Sequence, residues 1–438
     1  DKPKITQKQK SEEIKPQKKG KLEVVVTVPV ATKDDLSLAY TPGVATPCLE
    51  IQKDVDKSYE LTRRWNMCLV VTDGTAVLGL GDIGPEAAMP VMEGKALLFK
   101  YLGGVDATAI CLDTKDPEEF IKTVKLLQPT FGGINLEDIS NPKCFEILDR
   151  LRAEMDIPVW HDDQQGTAAC TLAGLINALR VVDKKMDEVK VTLVGAGAAN
   201  ICIARLIMFA GINPKNLIVT DSKGTLHKGR TELKGKYKEK WELCEKTNGD
   251  NLVGGVPEAL EGADVLIALS KPGPDTIKKE WIAKMNKDAI AFVCANPIPE
   301  IWPWDAKEAG ARIVATGRSD FPNQVNNSIV FPGIFRGALD VNARTITDEM
   351  CVEAAYELAN ISRDRGLNEE QLIPKMDEWE VFPRVATAVA MKAIEQGVAR
   401  VELTRDEIFS KAEKAIKRSQ NLTKMMMEKE FIPMPNEE

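Results

Sequence analysis

The sequence predicts a two-domain α/β protein. It has a doubly wound parallel sheet, a smaller α/β unit ahead of it, and a helical C-terminal segment. Three observations carry that prediction. The chain has 438 residues, too many for one hydrophobic core. Short apolar runs alternate with helical periodicity in two successive series. Beyond about residue 347 only the helical period remains.

In the first series, strand candidates lie at 68–71, 107–112, 131–136 and 157–160, and helical patterns at 86–102, 117–127 and 142–154. The second series has strand candidates at 189–194, 217–220, 265–269, 289–294 and 312–315. Helices follow at 347–365, 384–396 and 405–429, the last carrying Met425, Met426 and Met427 as packing or interface residues. The division read from this pattern is a lysine-rich flexible arm over 1–21, a first domain over 22–165, a second over 166–346, and a helical segment over 347–438.

Composition narrows the function. The formal net charge is −8 and no basic patch dominates, which argues against a nucleic-acid partner. No apolar run is long enough to span a membrane. Nine cysteines are irregularly spaced without a CxxC pair, which fits a reduced, cytoplasmic compartment better than a disulfide framework. Only two histidines, His161 and His227, are present, so a histidine-rich zinc site is excluded.

Ligands of open parallel sheets bind beyond the carboxyl ends of the strands. Those ends carry Gly195, Asp221, Ser270, Asn296 and Gly317 in the second series. In the first they carry Glu137 with Asp138, and Asp162 with Asp163.

A strand runs into Gly195-Ala196-Gly197-Ala198-Ala199-Asn200 and then an apolar helix. Gly195 suits the tight turn, and Gly197 lets a pyrophosphate approach the backbone at the helix N-terminus. Asn200 stands where a third glycine is usual, which weakens the case for close helix–strand packing. Asp221 ends the next strand, where an acid can bind a ribose hydroxyl. This order reads as a Rossmann-like site for NAD or NADP. Asp221 favours NAD, whereas Lys223, Lys228 and Arg230 could hold a 2′-phosphate. The literal GxGxxG at residues 79–84 lacks the following strand and acid, and reads as a loop of the first domain.

Adjacent acids can share one ion only where a strand turns into a loop, and both acidic pairs sit at such points. Converging carboxylates suit Mg²⁺ or Mn²⁺, and solvated strand-end acids are the plain alternative. Lys95 shares a helix face with Val91, Leu98 and Leu102. It either snorkels or is buried with a lowered pKa, the state in which an amine serves as base. Tyr40 precedes Thr41-Pro42-Gly43, a rigid turn that would fix its direction, although packing under a loop is the commoner fate.

Taken with Leu-Ala-Tyr-Thr-Pro-Gly (38–43), Glu-Gly-Lys (93–95), Leu-Glu-Asp (136–138), His-Asp-Asp-Gln-Gln-Gly-Thr-Ala (161–168) and Val-Gly-Ala-Gly (194–197), the chain resembles malic enzyme over roughly residues 22–400. It is closest in kind to the small-subunit, prokaryotic-like type without an acetyl-transferase-like extension. The resemblance implies divalent-metal-dependent oxidative decarboxylation of malate to pyruvate and CO₂ with reduction of NAD or NADP. It implies Glu137, Asp138 and Asp163 as metal ligands, with Asp162 behind them or orienting the base. Lys95 becomes the base and Tyr40 the acid that protonates C3. Asn296, with one or both of Asn326 and Asn327, contacts substrate or nicotinamide. It also implies a homo-oligomer, a dimer. One departure is Ala76, where larger relatives carry an arginine that grips malate. Two rivals are a malolactic-type conversion with bound NAD and an amino-acid dehydrogenase, which needs no divalent metal.

Overall fold

The computed structural model describes residues 20–432. The arm read over 1–21 therefore lies outside the described residues, apart from Gly20 and Lys21. Two parallel sheets form the frame. The first contains β1 (Met67–Thr72), β2 (Asp106–Cys111), β3 (Gly133–Leu136) and β4 (Val159–His161), in the order β2-β1-β3-β4. The second contains β5 (Val191–Val194), β6 (Leu217–Asp221), β7 (Gly224–Thr225), β8 (Val265–Ala268), β9 (Ala289–Val293) and β10 (Ala311–Thr316). Its order is β10-β9-β8-β5-β6-β7. The chain is a two-sheet α/β protein with a Rossmann-like second half, as the sequence predicts. The short edge strand β7 is antiparallel to β6, a local departure made by the turn after Asp221.

The inner strands of both sheets are buried on both faces, which is why they read as continuous apolar runs, whereas the edge strand β2 stays partly exposed. The expected helices appear as Pro85–Gly103, Pro117–Leu127 and Lys143–Glu154 in the first half, and as Asp348–Asp364, Val381–Glu395 and Arg405–Glu428 at the end. Two further helices, Thr167–Val182 and Phe331–Asp340, are buried almost throughout. Thr167–Val182 is apolar nearly all round and shows no amphipathic period to read, whereas Phe331–Asp340 buries its polar pair Arg336–Asp340 as well.

These buried helices join the two halves. Phe331 and Phe335 pack on Phe99, with ring centroids 4.6 and 5.0 Å away. The Val381–Glu395 helix then crosses Phe331–Asp340 closely: a Cβ on Gly337 would lie 2.3 Å from the Ala386 carbonyl oxygen. Ser419 Oγ donates to the Lys100 carbonyl at 2.7 Å, so the last helix returns to the first sheet's layer. Met425 is half-exposed near its end.

The segment before β1 is different. Helices Lys33–Ala39 and Ala45–Lys53 bury none of their residues. Val24, Val26, Val28, Val30, Leu36 and Leu38 are all exposed.

Candidate active site

β3 and β4 are parallel neighbours with Leu136 abreast of His161. The acids that follow each strand therefore emerge side by side. Asp138 takes a left-handed conformation with φ +53°, which breaks the alternation of an extended strand. Asp162 and Asp163 open a single π-turn, Asp162–Gly166, that feeds the Thr167–Val182 helix. The result is a cluster: one carboxylate oxygen each from Glu137, Asp138 and Asp163 lie within 4.8 Å of one another. Asp163 Oδ2 accepts the Asp138 N–H at 2.8 Å, and Asp138 Oδ2 is buried without a hydrogen-bond partner. An all-oxygen set with Glu137 and Asp138 buried, Asp163 half-buried and one oxygen unpartnered fits a hard divalent cation such as Mg²⁺ or Mn²⁺.

Electrostatics tell the same story. Burial raises the Asp138 pKa to about 7, with the Asp163 charge adding to it. Glu137 is pushed well above the carboxylate range by burial, against the pull of Lys95, with Asp163, Asp162 and Asp138 pushing the same way. Four acids crowded around one buried ammonium produce these shifts, since one positive charge does not offset their mutual repulsion and burial.

Lys95 sits in the middle of the Pro85–Gly103 helix, with its side chain 9% exposed. Its ammonium is 2.9 Å from Glu137 Oε1 and 2.5 Å from Asp162 Oδ2, and lies over the Phe331 ring. It is neither snorkelling nor lowered in pKa, which corrects the sequence expectation. Burial alone would lower it, but Asp162 and Glu137 override that and raise it. A buried amine facing several carboxylates stays charged until some of that negative charge is taken up.

Asp162 is fully buried. One oxygen accepts the Trp160 indole N–H at 3.0 Å, and the other accepts Lys95. A Cβ on Gly166 would stand 2.0 Å from Asp162 Oδ1, so glycine makes the room. Sequence reasoning missed the buried Asp73–Lys143 pair at 2.5 Å, which flanks this cluster. Asp73 follows β1 directly, so the strand-end rule would have found it. His161, fully buried with both ring nitrogens unpartnered, is 3.7 Å from Asp163.

Tyr40 stands apart. It is 75% exposed, and its hydroxyl makes no hydrogen bond among the described residues. Ala76 donates its backbone N–H to the Asp138 carbonyl at 3.0 Å, so the position lies against the cluster, and its methyl offers nothing to a carboxylate.

The glycine loop faces this site from the second sheet. Gly195 has φ +103°, and a Cβ there would lie 2.5 Å from the Leu269 carbonyl oxygen. Around Gly197 there is open space for a ligand. Ala196 is buried and Ala198 starts the Ala198–Phe209 helix, which packs against the Asp162–Gly166 turn. Asn200 replaces the third glycine actively: its amide N–H₂ donates to the Val194 and Gly195 carbonyls at 2.9 Å each. Helix–strand packing is thereby kept close, despite the departure. The loop geometry fits a dinucleotide pyrophosphate. Asp221 lies at the carboxyl end of β6, one residue beyond Thr220, which is abreast of Val194.

Asn296 follows β9 in a loop braced by the buried Glu300, which accepts the Ser270 and Ala295 N–H groups at 2.8 and 3.1 Å. The Asn296 carbonyl oxygen is 3.5 Å from a Cβ built on Gly79, so the 79–84 loop meets the second sheet's loops here. Asn326 and Asn327 differ. The Asn326 side chain caps a short turn by accepting the Ser328 N–H at 2.9 Å. The Asn327 Cβ lies 3.2 Å from a Cβ built on Gly166, beside Asp162.

Comparisons with known proteins agree with this geometry. Residues 19–152 match the family model "Malic enzyme, N-terminal domain", and residues 164–394 match "Malic enzyme, NAD binding domain". An NAD-dependent malic enzyme of Geobacillus stearothermophilus is 53% identical over 87% of this chain and 78% of its own. A bifunctional malic/malolactic enzyme of Bacillus subtilis (strain 168) is 51% identical over 90% of this chain and 95% of its own. The crystal structure of malic enzyme from Pyrococcus horikoshii superposes with a TM-score of 0.91 at 52% identity, covering 94% of this chain and 95% of that one. A buried lysine among carboxylates, opposite a dinucleotide loop, on a chain matched by both family models over most of its length, has one reading: this protein belongs to the malic enzyme family.

Proposed function

We propose that this chain oxidatively decarboxylates L-malate to pyruvate and CO₂, reducing NAD⁺ or NADP⁺. The observation that carries the reading is the contact of Lys95 with Glu137 and Asp162 beside three converging carboxylates. Lys95 accepts the proton of the C2 hydroxyl as hydride leaves C2. Asp162, held by Trp160, fixes where the amine points. Glu137, Asp138 and Asp163 would hold a divalent ion, whose positive charge would polarise the C2 oxygen and relieve the field keeping Lys95 protonated. Gly195, Ala196, Gly197 and Ala198 cradle the pyrophosphate. Asn296 and Asn327 contact the substrate, with Asn326 serving the turn instead. After CO₂ departs, Tyr40 protonates C3.

The last assignment depends on assembly. Among the described residues the Tyr40 hydroxyl makes no hydrogen bond, and the side chain belongs to an apolar segment left uncovered. A second copy that covers residues 20–61 would bury those side chains and bring Tyr40 of one copy to the other's Lys95. A homodimer with shared sites follows. Nine free cysteines fit a cytoplasmic location. No described helix is long and apolar enough to cross a membrane. Residues 22–165 and 166–346 serve as catalytic and dinucleotide domains; of the segment read over 347–438, the helices Asp348–Asp364 and Val381–Glu395 pack on the second and Arg405–Glu428 returns to the first.

The test is nicotinamide reduction with L-malate and Mn²⁺, run with a chelator control and a pyruvate assay. Chelator-sensitive reduction with stoichiometric pyruvate supports the reading. Lactate without net reduction would favour the malolactic reaction, which the name of the Bacillus subtilis relative includes. Malate turnover indifferent to chelator would defeat the metal assignment.

A further inference from the structure

The acid at the end of β6 usually decides between the two dinucleotides. Its free carboxylate accepts the ribose hydroxyls of NAD and repels a 2′-phosphate. In this chain that acid is not free. Asp221 Oδ1 accepts the Lys223 backbone N–H at 2.9 Å and Arg230 Nη1 at 3.1 Å. Asp221 Oδ2 accepts Arg230 Nη2 at 3.2 Å and Lys240 Nζ at 3.3 Å. A carboxylate has about four lone-pair sites, and here four donors occupy them. The pairs are well formed: the side chains of Asp221, Arg230 and Lys240 are 8%, 10% and 17% exposed. Arg230 is anchored further by donating to Glu232 and to the Thr225 carbonyl.

The charge balance follows. Burial works against ionisation of Asp221, but the Arg230 hydrogen bonds and the Lys240 charge overcome it and hold the carboxyl below its ordinary range. Two negative charges, Asp221 and Glu232, are therefore matched by the two positive charges of Arg230 and Lys240. The exposed Lys223 and Lys228 add two more at the rim. A 2′-phosphate approaching β6 meets a net positive surface rather than a bare acid. A ribose 2′-hydroxyl gains little from Asp221 unless Arg230 or Lys240 lets go.

We propose that the Asp221–Arg230–Lys240 clamp makes the adenosine-ribose subsite dual: it takes NAD⁺ and NADP⁺ with similar affinity, and Arg230 sets the balance. This rests on the assignment of residues 195–198 as the dinucleotide loop. It does not need malate turnover.

The test is calorimetric titration of NAD⁺ and NADP⁺ separately into the purified full chain, without malate. The expected ratio of the two Kd values is within about 20-fold. Arg230→Gln frees the acid and removes the phosphate's partner, so the ratio should move toward NAD⁺ by about 10-fold or more. Lys240→Gln, on a less buried residue, should move it the same way by about 3-fold and serves if Arg230→Gln does not fold. A larger wild-type ratio, or variants that fold and leave the ratio unmoved, would overturn the proposal while leaving the catalytic reading intact. Binding of neither dinucleotide would overturn both.

Discussion

The Lys95 ammonium lies 2.5 Å from Asp162 Oδ2, and the opposite oxygen of the same carboxylate is held by the Trp160 indole at 3.0 Å. A rigid acid thus fixes the amine at the edge of the carboxylate cluster. Both residues are buried, so neither can be replaced by solvent.

Lys95→Ala should lower kcat roughly a thousandfold, as loss of a positioned general base does. Dinucleotide affinity should change little, because the glycine loop is on the other sheet. Single-turnover hydride transfer and calorimetry separate the two effects. Normal hydride transfer in the variant would remove Lys95 as base.

Asp163→Ala should weaken Mn²⁺ binding at least about tenfold, as loss of a direct carboxylate ligand leaves two acids and water. The paramagnetic signal of free Mn²⁺ reads this without turnover. Unchanged affinity would show that Asp163 is not a ligand.

The pH dependence has a defined sign. The Asp138 pKa in the metal-free fold is raised from 3.8 to about 7. The folded state therefore binds more protons than the unfolded chain between those values, and its stability falls as pH rises through them. Melting temperature of chelated protein should drop from pH 4 toward pH 7, because Asp138 and Glu137 both hold protons in the fold that the unfolded chain has lost. Asp138→Asn should flatten the drop. Mn²⁺ affinity should rise over the same interval, since the ion needs the ionised acid. A chelated melting curve equally steep in Asp138→Asn would assign the effect elsewhere.

The shared-site assignment has a sharp test. Tyr40→Phe and Lys95→Ala should each be inactive alone. Mixed after mild dissociation, they should recover up to about a quarter of wild-type activity, because about half of the dimers are heterodimers and each holds one intact site of two. No recovery in mixtures that sedimentation shows to be heterodimeric would place Tyr40 and Lys95 of one chain together.

Much of this was legible in the sequence because it is local. Strand periodicity, the glycine turn at Gly195 and the acids at strand ends are set by neighbours within a few residues. That is why β3, β4 and the Asp162–Gly166 turn fall where the pattern put them. The buried helix Thr167–Val182 was not legible, since a helix apolar all round carries no face, and the burial of Phe331–Asp340 was not, since its Arg336–Asp340 pair reads as a solvent face but is fully buried. The state of Lys95 was not legible either. Its helix face suggests either snorkelling or a lowered pKa, and only the register of β3 with β4 delivers the carboxylates that reverse the shift.

The sequence by itself determined the two α/β units, the dinucleotide turn and the residue types for metal and proton chemistry. Tertiary structure decided which of these groups meet. It brought Lys95, Glu137 and Asp162 together from three elements, and it left Tyr40 outside on an uncovered apolar segment. It also tied Asp221 to Arg230 and Lys240. The reason is physical: a local pattern fixes backbone direction, whereas pKa and hydrogen-bond occupancy depend on charges brought near through space.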